Sequence, residues 1–298
     1  MAFYLLNQDK IPKETAPTAS RTTPTLGTLA FIVGVPVGVL LLLWLLTLPV
    51  AVPITVAVLA LGSGVWWLAR LPADEKPRVV ALTIACLITA AYWAVYEQQG
   101  NALQLWADEN TRWPSLFGFT MPSTWYQAFN PLAIWLLVPL LNGLWAWQAR
   151  RGAEPSSLSK MAIGCFVTGS GFIVMVLAAN ALQGDPKTLL SVNWLELSTV
   201  IFTIGEIYLS PIGLSFVTTV APARIVSMMM GVWYLSSFFG NYMSGYLGTY
   251  WEKMPHAQFF WLMLAIGCAA GLVLWVMNKP LQRAIEHNTN AGQRRYEA

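Results

Sequence analysis

The chain of 298 residues is 56% hydrophobic and only 10% charged, where a soluble domain carries about a quarter charged residues; this excludes a soluble globular protein and identifies an integral membrane protein. Its net charge of +3 comes without a basic stripe interleaved with aromatics, which excludes nucleic-acid binding. Three cysteines in apolar runs and two isolated histidines exclude a disulfide framework and a histidine-based metal or catalytic cluster.

Residues 1–26 form a polar leading segment with no cleavable signal pattern. Spanning a bilayer takes about 20 mostly apolar residues. That criterion predicts eight transmembrane helices at about 27–48, 50–69, 78–99, 127–148, 159–182, 194–220, 224–250 and 258–278. The fold class is therefore all-α and polytopic, a two-helix hairpin followed by six helices. The hairpin, 27–70, has no charge between Arg21 and Arg70; with nothing polar to offer a cavity, it reads as peripheral and lipid-facing.

The third helix closes on Glu97, Gln98 and Gln99. Glu97 reads either as an interfacial carboxylate or as a cavity group. The fourth helix opens with Asn130-Pro131, where Asn130 can cap the helix with Pro131 at its first position or can contact a ligand. Pro139 marks a kink. The fifth helix, rich in glycine, reads as packing. The sixth carries Glu206 inside an otherwise apolar run, with Pro211 five residues later. A charge at bilayer depth costs a few kcal/mol, so such a residue usually faces a cavity or a partner; the alternative is a neutral acid bonded to a neighbouring helix. In the seventh helix Ser236, Gly240, Ser244 and Gly248 recur at spacing four, a seam that admits another helix closely. Trp233, Ser237 and Asn241 lie on an adjacent, more polar face, as a pocket wall or as core packing. The eighth helix is apolar, and beyond Pro280 the polar tail, 279–298, is predicted to be unstructured.

Of the 17 lysines and arginines, only Arg112, Lys187 and Lys253 fall in loops on one side of this scheme. The positive-inside rule then puts both termini in the cytoplasm. The last six helices divide into two triplets, each opening with a helix that bears a carboxylate, Glu97 and Glu206; transporters are often built from such repeats. A buried carboxylate beside polar and aromatic groups can pair with the ammonium of a zwitterionic ligand, or carry a proton. The residues offer no second catalytic group or metal for an enzyme and no selectivity loop for a pore.

At these positions the sequence resembles the proton-dependent oligopeptide transporter family of the major facilitator superfamily. The resemblance lies in Glu97-Gln98-Gln99-Gly100, Phe129-Asn130-Pro131, Gly205-Glu-Ile-Tyr-Leu-Ser-Pro-Ile-Gly-Leu-Ser215, Ala221-Pro-Ala-Arg224, Met230-Gly-Val-Trp-Tyr-Leu-Ser-Ser237 and Gly240-Asn241. Their order matches the last six helices of that family, over residues 78–278, and residues 27–69 resemble the two extra helices that bacterial members insert between their halves. The resemblance implies the C-terminal half of a proton-coupled di- and tripeptide symporter in a bacterial inner membrane, driven by the proton gradient and using no cofactor. It implies that Glu206 receives the peptide amino terminus and exchanges partners with a lysine during proton coupling. It further implies that Asn130 contacts the peptide backbone, that Trp233, Tyr234 and Ser237 wall the side-chain pocket, and that Glu97 serves gating or coupling. The family's Glu-x-x-Glu-Arg-Phe motif, which belongs to its first half, does not occur in these 298 residues, so the site is expected to need an N-terminal six-helix half, in the same gene or as a separate chain. Two other readings are a carrier for another small solute on the same fold, and a non-transporting membrane assembly subunit that uses the small-residue seam.

Overall fold

In lipid every backbone polar group has to be satisfied within the protein, so the long apolar runs fold as helices. The computed structural model describes residues 68–73, 75–182 and 188–296, with isolated helical positions at 37, 38, 44, 62, 64 and 66. Contacts divide the chain into two units, residues 1–67 and 68–298. The predicted hairpin, 27–70, lies almost wholly outside the described residues.

The second unit contains α1 (Lys76–Tyr96), a short α2 (Ala102–Glu109), α3 (Tyr126–Arg150), α4 (Ser157–Ala181), α5 (Asn193–Val220), α6 (Val226–Gly248) and α7 (His256–Tyr296). A proline in its first turn starts α1, where a missing N–H costs nothing. Ser156 caps α4 by accepting the Ser159 N–H at 3.3 Å. Among the described residues five segments are long and apolar enough to cross a membrane: Lys76–Glu109, Ser123–Arg150, Ser157–Ala181, Asn193–Val220 and His256–Arg283. At 23 residues, α6 is also long enough, roughly 35 Å, but more polar. The chain is an all-α polytopic membrane protein.

Two departures concern helix ends. The eighth predicted helix does not stop at residue 278: α7 runs through Pro280 to Tyr296. The tail is rich in Gln, Arg, Ala and Glu, all good helix formers, and low hydrophobicity alone does not melt a helix already nucleated in the membrane. At the other end, α3 begins at Tyr126, which leaves Pro131 in the helix interior. Asn130 is therefore no cap, and its side chain is free for tertiary bonds.

The loops also hold short pairings that no periodicity announces. β1 (Thr111–Arg112) pairs in parallel with β4 (Leu190–Ser191), tying together the loops that precede α3 and α5. β2 (Ser115–Leu116) and β3 (Phe119–Thr120) form a small antiparallel hairpin, whose tip residues Phe117 (φ 51°) and Gly118 (φ 84°) both lie in the left-handed region, as a tight primed turn requires.

Within the bundle α4 packs between α7 and α5, α1 packs on α6 and α7, and α3 lies along α5. An aromatic core of Trp106, Phe172, Phe202, Trp251, Phe259 and Phe260 places α2 over one end of these helices. The small-residue seam of α6 is the docking surface of α1. A Cβ on Gly240 would meet Trp93 and the Ala90 carbonyl, and the Ser236 and Thr89 hydroxyls lie 3.3 Å apart. Gln98 Nε2 donates to the Ser244 carbonyl at 3.0 Å and to its hydroxyl at 3.1 Å. Gly248, by contrast, faces open space. Gln98→Ala is expected to lower the stability of the lipid-reconstituted chain by about 0.5–2 kcal/mol, the range for interhelical polar contacts in membranes; titration with a denaturing detergent, followed by circular dichroism, measures it.

Candidate functional site

Three helices bring four polar side chains together near the middle of the bundle. From α1, the Tyr96 hydroxyl donates to Glu206 Oε2 at 2.5 Å. From α3, Asn130 Nδ2 donates to the Tyr96 hydroxyl at 2.6 Å and to Glu206 Oε2 at 3.1 Å. From α5, the Thr203 hydroxyl lies 2.9 Å from Asn130 Oδ1, to which it can donate, and 2.8 Å from the carbonyl of Thr199 in its own helix. Thr203 and Glu206 are three residues apart, hence on one helix face. Tyr96 is supported from behind by Tyr92, stacked at 5.7 Å, and by the edge of Trp93.

Both donors converge on one carboxylate oxygen, and Glu206 Oε1 takes no hydrogen bond among the described residues. Nor does a described lysine or arginine form an ion pair with it; Lys160 pairs with Glu154, and Arg224 with Glu75. A carboxylate so held retains one open oxygen for a cation or a proton.

Beside this ring lies a cavity of about 220 Å³ bordered by Tyr96, Glu97, Gln99, Tyr126, Gln127 and Asn130. Glu97, directly after Tyr96, points its carboxylate to α6, where Asn241 Nδ2 stands 3.5 Å away and also donates to the Ser237 carbonyl at 2.9 Å. The polar face read on α6 thus meets Glu97 through Asn241.

The structure brings Glu206 and Asn130 together and sets Glu97 beside their cavity. Among the described residues no hydrogen bond joins Trp233, Tyr234 or Ser237 to the ring. Trp233 is only 2% exposed, and its ring occupies the space in which a side chain at Gly213 would lie. Gly213 sits two turns beyond Glu206 on α5, roughly 10 Å along the axis. Tyr234 is exposed and Ser237 half-buried on the adjoining surface of α6. Sequence reasoning missed Tyr96 and Thr203. The signal for Thr203 was its spacing from Glu206; Tyr96 carried none, since a tyrosine near a helix end is also what an interfacial belt looks like.

A polytopic helical bundle with an ionisable group held among its helices, beside a polar cavity, has the construction of a membrane transporter. The chain belongs to the POT family, whose sequence profile matches residues 55–262; members of that family are transporters and not enzymes. It is 29% identical over 264 residues to the peptide transporter YePEPT of Yersinia enterocolitica, covering 87% of this chain and 50% of that protein. It is likewise 29% identical over 217 residues to a di-/tripeptide transporter of Lactococcus lactis subsp. cremoris, covering 71% of this chain and 42% of the relative. Among solved structures, a variant of the peptide transporter POT in complex with alafosfalin superposes with a TM-score of 0.66 at 27% identity, covering 89% of this chain and 54% of the other. The chain spans about half the length of the curated relatives it matches.

Proposed function

We propose that this chain supplies the C-terminal half of a proton-coupled di- and tripeptide symporter. In this reading it has eight transmembrane helices, a peripheral hairpin at 27–70 and a transporter bundle at 78–278, with the segments 1–26 and 279–298 in the cytoplasm of a bacterial cell. An N-terminal six-helix half, in the same polypeptide or a separate one, supplies the opposite wall of the site and the lysine partner of Glu206. Alternating access then rocks the two bundles about that site. The proton gradient is the driving force and no cofactor takes part.

The observation that carries this reading is the open oxygen of Glu206. A half-buried carboxylate held by two donors, with no described lysine or arginine paired to it, is suited to a peptide ammonium and to a proton in turn. Asn130 is positioned to exchange its bond to Glu206 for one to a peptide backbone, and Glu97 lies beside the same cavity, where its protonation acts on the gate. Trp233, Tyr234 and Ser237 shape the side-chain pocket, Trp233 by fixing α6 against α5.

Uptake of labelled dialanine into proteoliposomes of the complete transporter tests the reading. Accumulation is expected under an inward proton gradient, collapsing with a protonophore and competed by unlabelled di- and tripeptides. Gradient-driven uptake of some other small solute that dialanine leaves unaffected would favour a different cargo on the same fold. The assembly-subunit reading loses its main support, because the small-residue seam on which it relied is covered by α1.

A further inference from the structure

Resting on the proposed reading of Glu206 as the ammonium acceptor, we infer that Tyr96 is its positioning residue: the Tyr96 hydroxyl, steered by Asn130, holds Oε2 and leaves Oε1 as the oxygen that meets the ligand. The direction of every bond follows from what each group can donate. An ionised carboxylate only accepts, so the tyrosine must give its single proton to Glu206. Its oxygen is then left to accept, and the Asn130 amide supplies that bond at 2.6 Å. The Thr203 hydroxyl, whose one proton is also within reach of the Thr199 carbonyl at 2.8 Å, can orient the amide in turn by donating to Oδ1 at 2.9 Å. The polarity runs one way, from Thr203 through Asn130 and Tyr96 to Glu206, and bonds aligned in series strengthen one another in a low-dielectric site.

Tyr96 is well suited to this work. Its ring is clamped between Tyr92 and Trp93, so the hydroxyl arrives at a fixed place. A free glutamate has three side-chain torsions to immobilise when it binds a ligand; this one is already held, and preorganisation of that kind improves affinity without adding a contact. The ring also has a second consequence. Its bonds run from α3 to both α1 and α5, so an ammonium that draws Glu206 away from Asn130 loosens α3 from its neighbours. Occupancy of the site is thereby linked to the position of a helix.

Tyr96→Phe keeps the ring and its stacking and removes only the hydroxyl. In the complete transporter it is expected to weaken competition by dialanine about tenfold, at the lower end for loss of a hydrogen bond to a charged group. Competition by N-acetyl-dialanine, which has no ammonium to present, should be unchanged. Thr203→Val should act in the same sense with a smaller loss. Equal weakening for both peptides would mean general damage to the bundle and would overturn the inference. A second measurement needs no transport at all. In the chain reconstituted in lipid, the infrared carboxylate band that disappears in Glu206→Gln is expected to shift in Tyr96→Phe, and a band that stays in place overturns the inference whatever the cargo is. If the unaltered transporter ignores dialanine altogether, the substrate class proposed above fails, while the band still decides the role of Tyr96.

Discussion

Glu206→Gln is expected to abolish gradient-driven peptide accumulation by the complete transporter while leaving the bundle folded. Glutamine has the same shape, and its amide oxygen can still accept from the Tyr96 hydroxyl and Asn130 Nδ2, which both converge on Oε2 in the native site. The contacts among α1, α3 and α5 therefore survive. What is lost is charge. An amide offers an ammonium a dipole in place of a full negative charge, and removing one partner of a desolvated charge pair costs about 2–5 kcal/mol, a loss of roughly thirty- to several-thousand-fold in affinity. It also cannot take up and release a proton within the pH range of a cell, so substrate that does enter has no coupled ion to drive it. Proteoliposomes with an imposed proton gradient provide the measurement, with folding monitored by size-exclusion chromatography. Undiminished accumulation in the mutant would end the assignment of Glu206.

The long helices from residue 76 onward were legible because lipid imposes a simple rule: a long apolar run must be a helix. The predicted limits 127–148, 159–182 and 194–220 lie within a few residues of α3, α4 and α5. Glu206 was legible for the same reason, as a charge where charge is expensive, and so was the seam on α6, because spacing four repeats one helix face. Asn130 was legible only through the family resemblance. Taken by itself, Asn-Pro reads as a helix start, and the fact that α3 begins a turn earlier depends on the loop before it, where a 3₁₀ turn at Ser123–Trp125 delivers the chain already wound. Tyr96 was hidden, and Thr203 marked only by its spacing from Glu206, for a different reason. Neither residue type is unusual in a membrane helix, and what makes them part of a site is the crossing of α1 over α5, which no local pattern encodes. Trp233 shows the converse. Its polar neighbours on the helix wheel left a pocket wall and core packing both open, and what anchors the indole, a slot opened by Gly213 on another helix, lies outside that pattern. Pairing of a large residue with a distant small one is a tertiary fact.

Gly240→Leu is expected to prevent α1 from seating on α6, and with that to dismantle both the fold and the site. A Cβ at this position would lie against the Trp93 side chain, 2.8 Å from the Ala90 carbonyl oxygen and 3.1 Å from the Ala94 nitrogen. Two of these three atoms are backbone, so a change of rotamer cannot relieve the clash and the helices must separate. Ordinary overpacking of a core costs about 1–3 kcal/mol; here the loss is larger, because separation also breaks the bonds above and below the contact, Thr89 with Ser236 and Gln98 with Ser244. The helix carries its own controls. A Cβ on Gly231 or Gly245 would meet nothing within 4 Å, so leucine at either should leave the thermal melting of the lipid-reconstituted chain within a few degrees of the native value. Gly240→Leu should instead yield little monodisperse protein, and what is recovered should melt far lower. The same displacement has a functional reading, since Tyr96 and Glu97 ride at the end of α1: a smaller intrusion, Gly240→Ala, should shift the Glu206 carboxylate band toward that of Tyr96→Phe even where the chain still folds. If leucine at 240 behaves like leucine at 231, α1 and α6 do not meet along this seam, and the ring around Glu206 loses the helix that supplies its tyrosine.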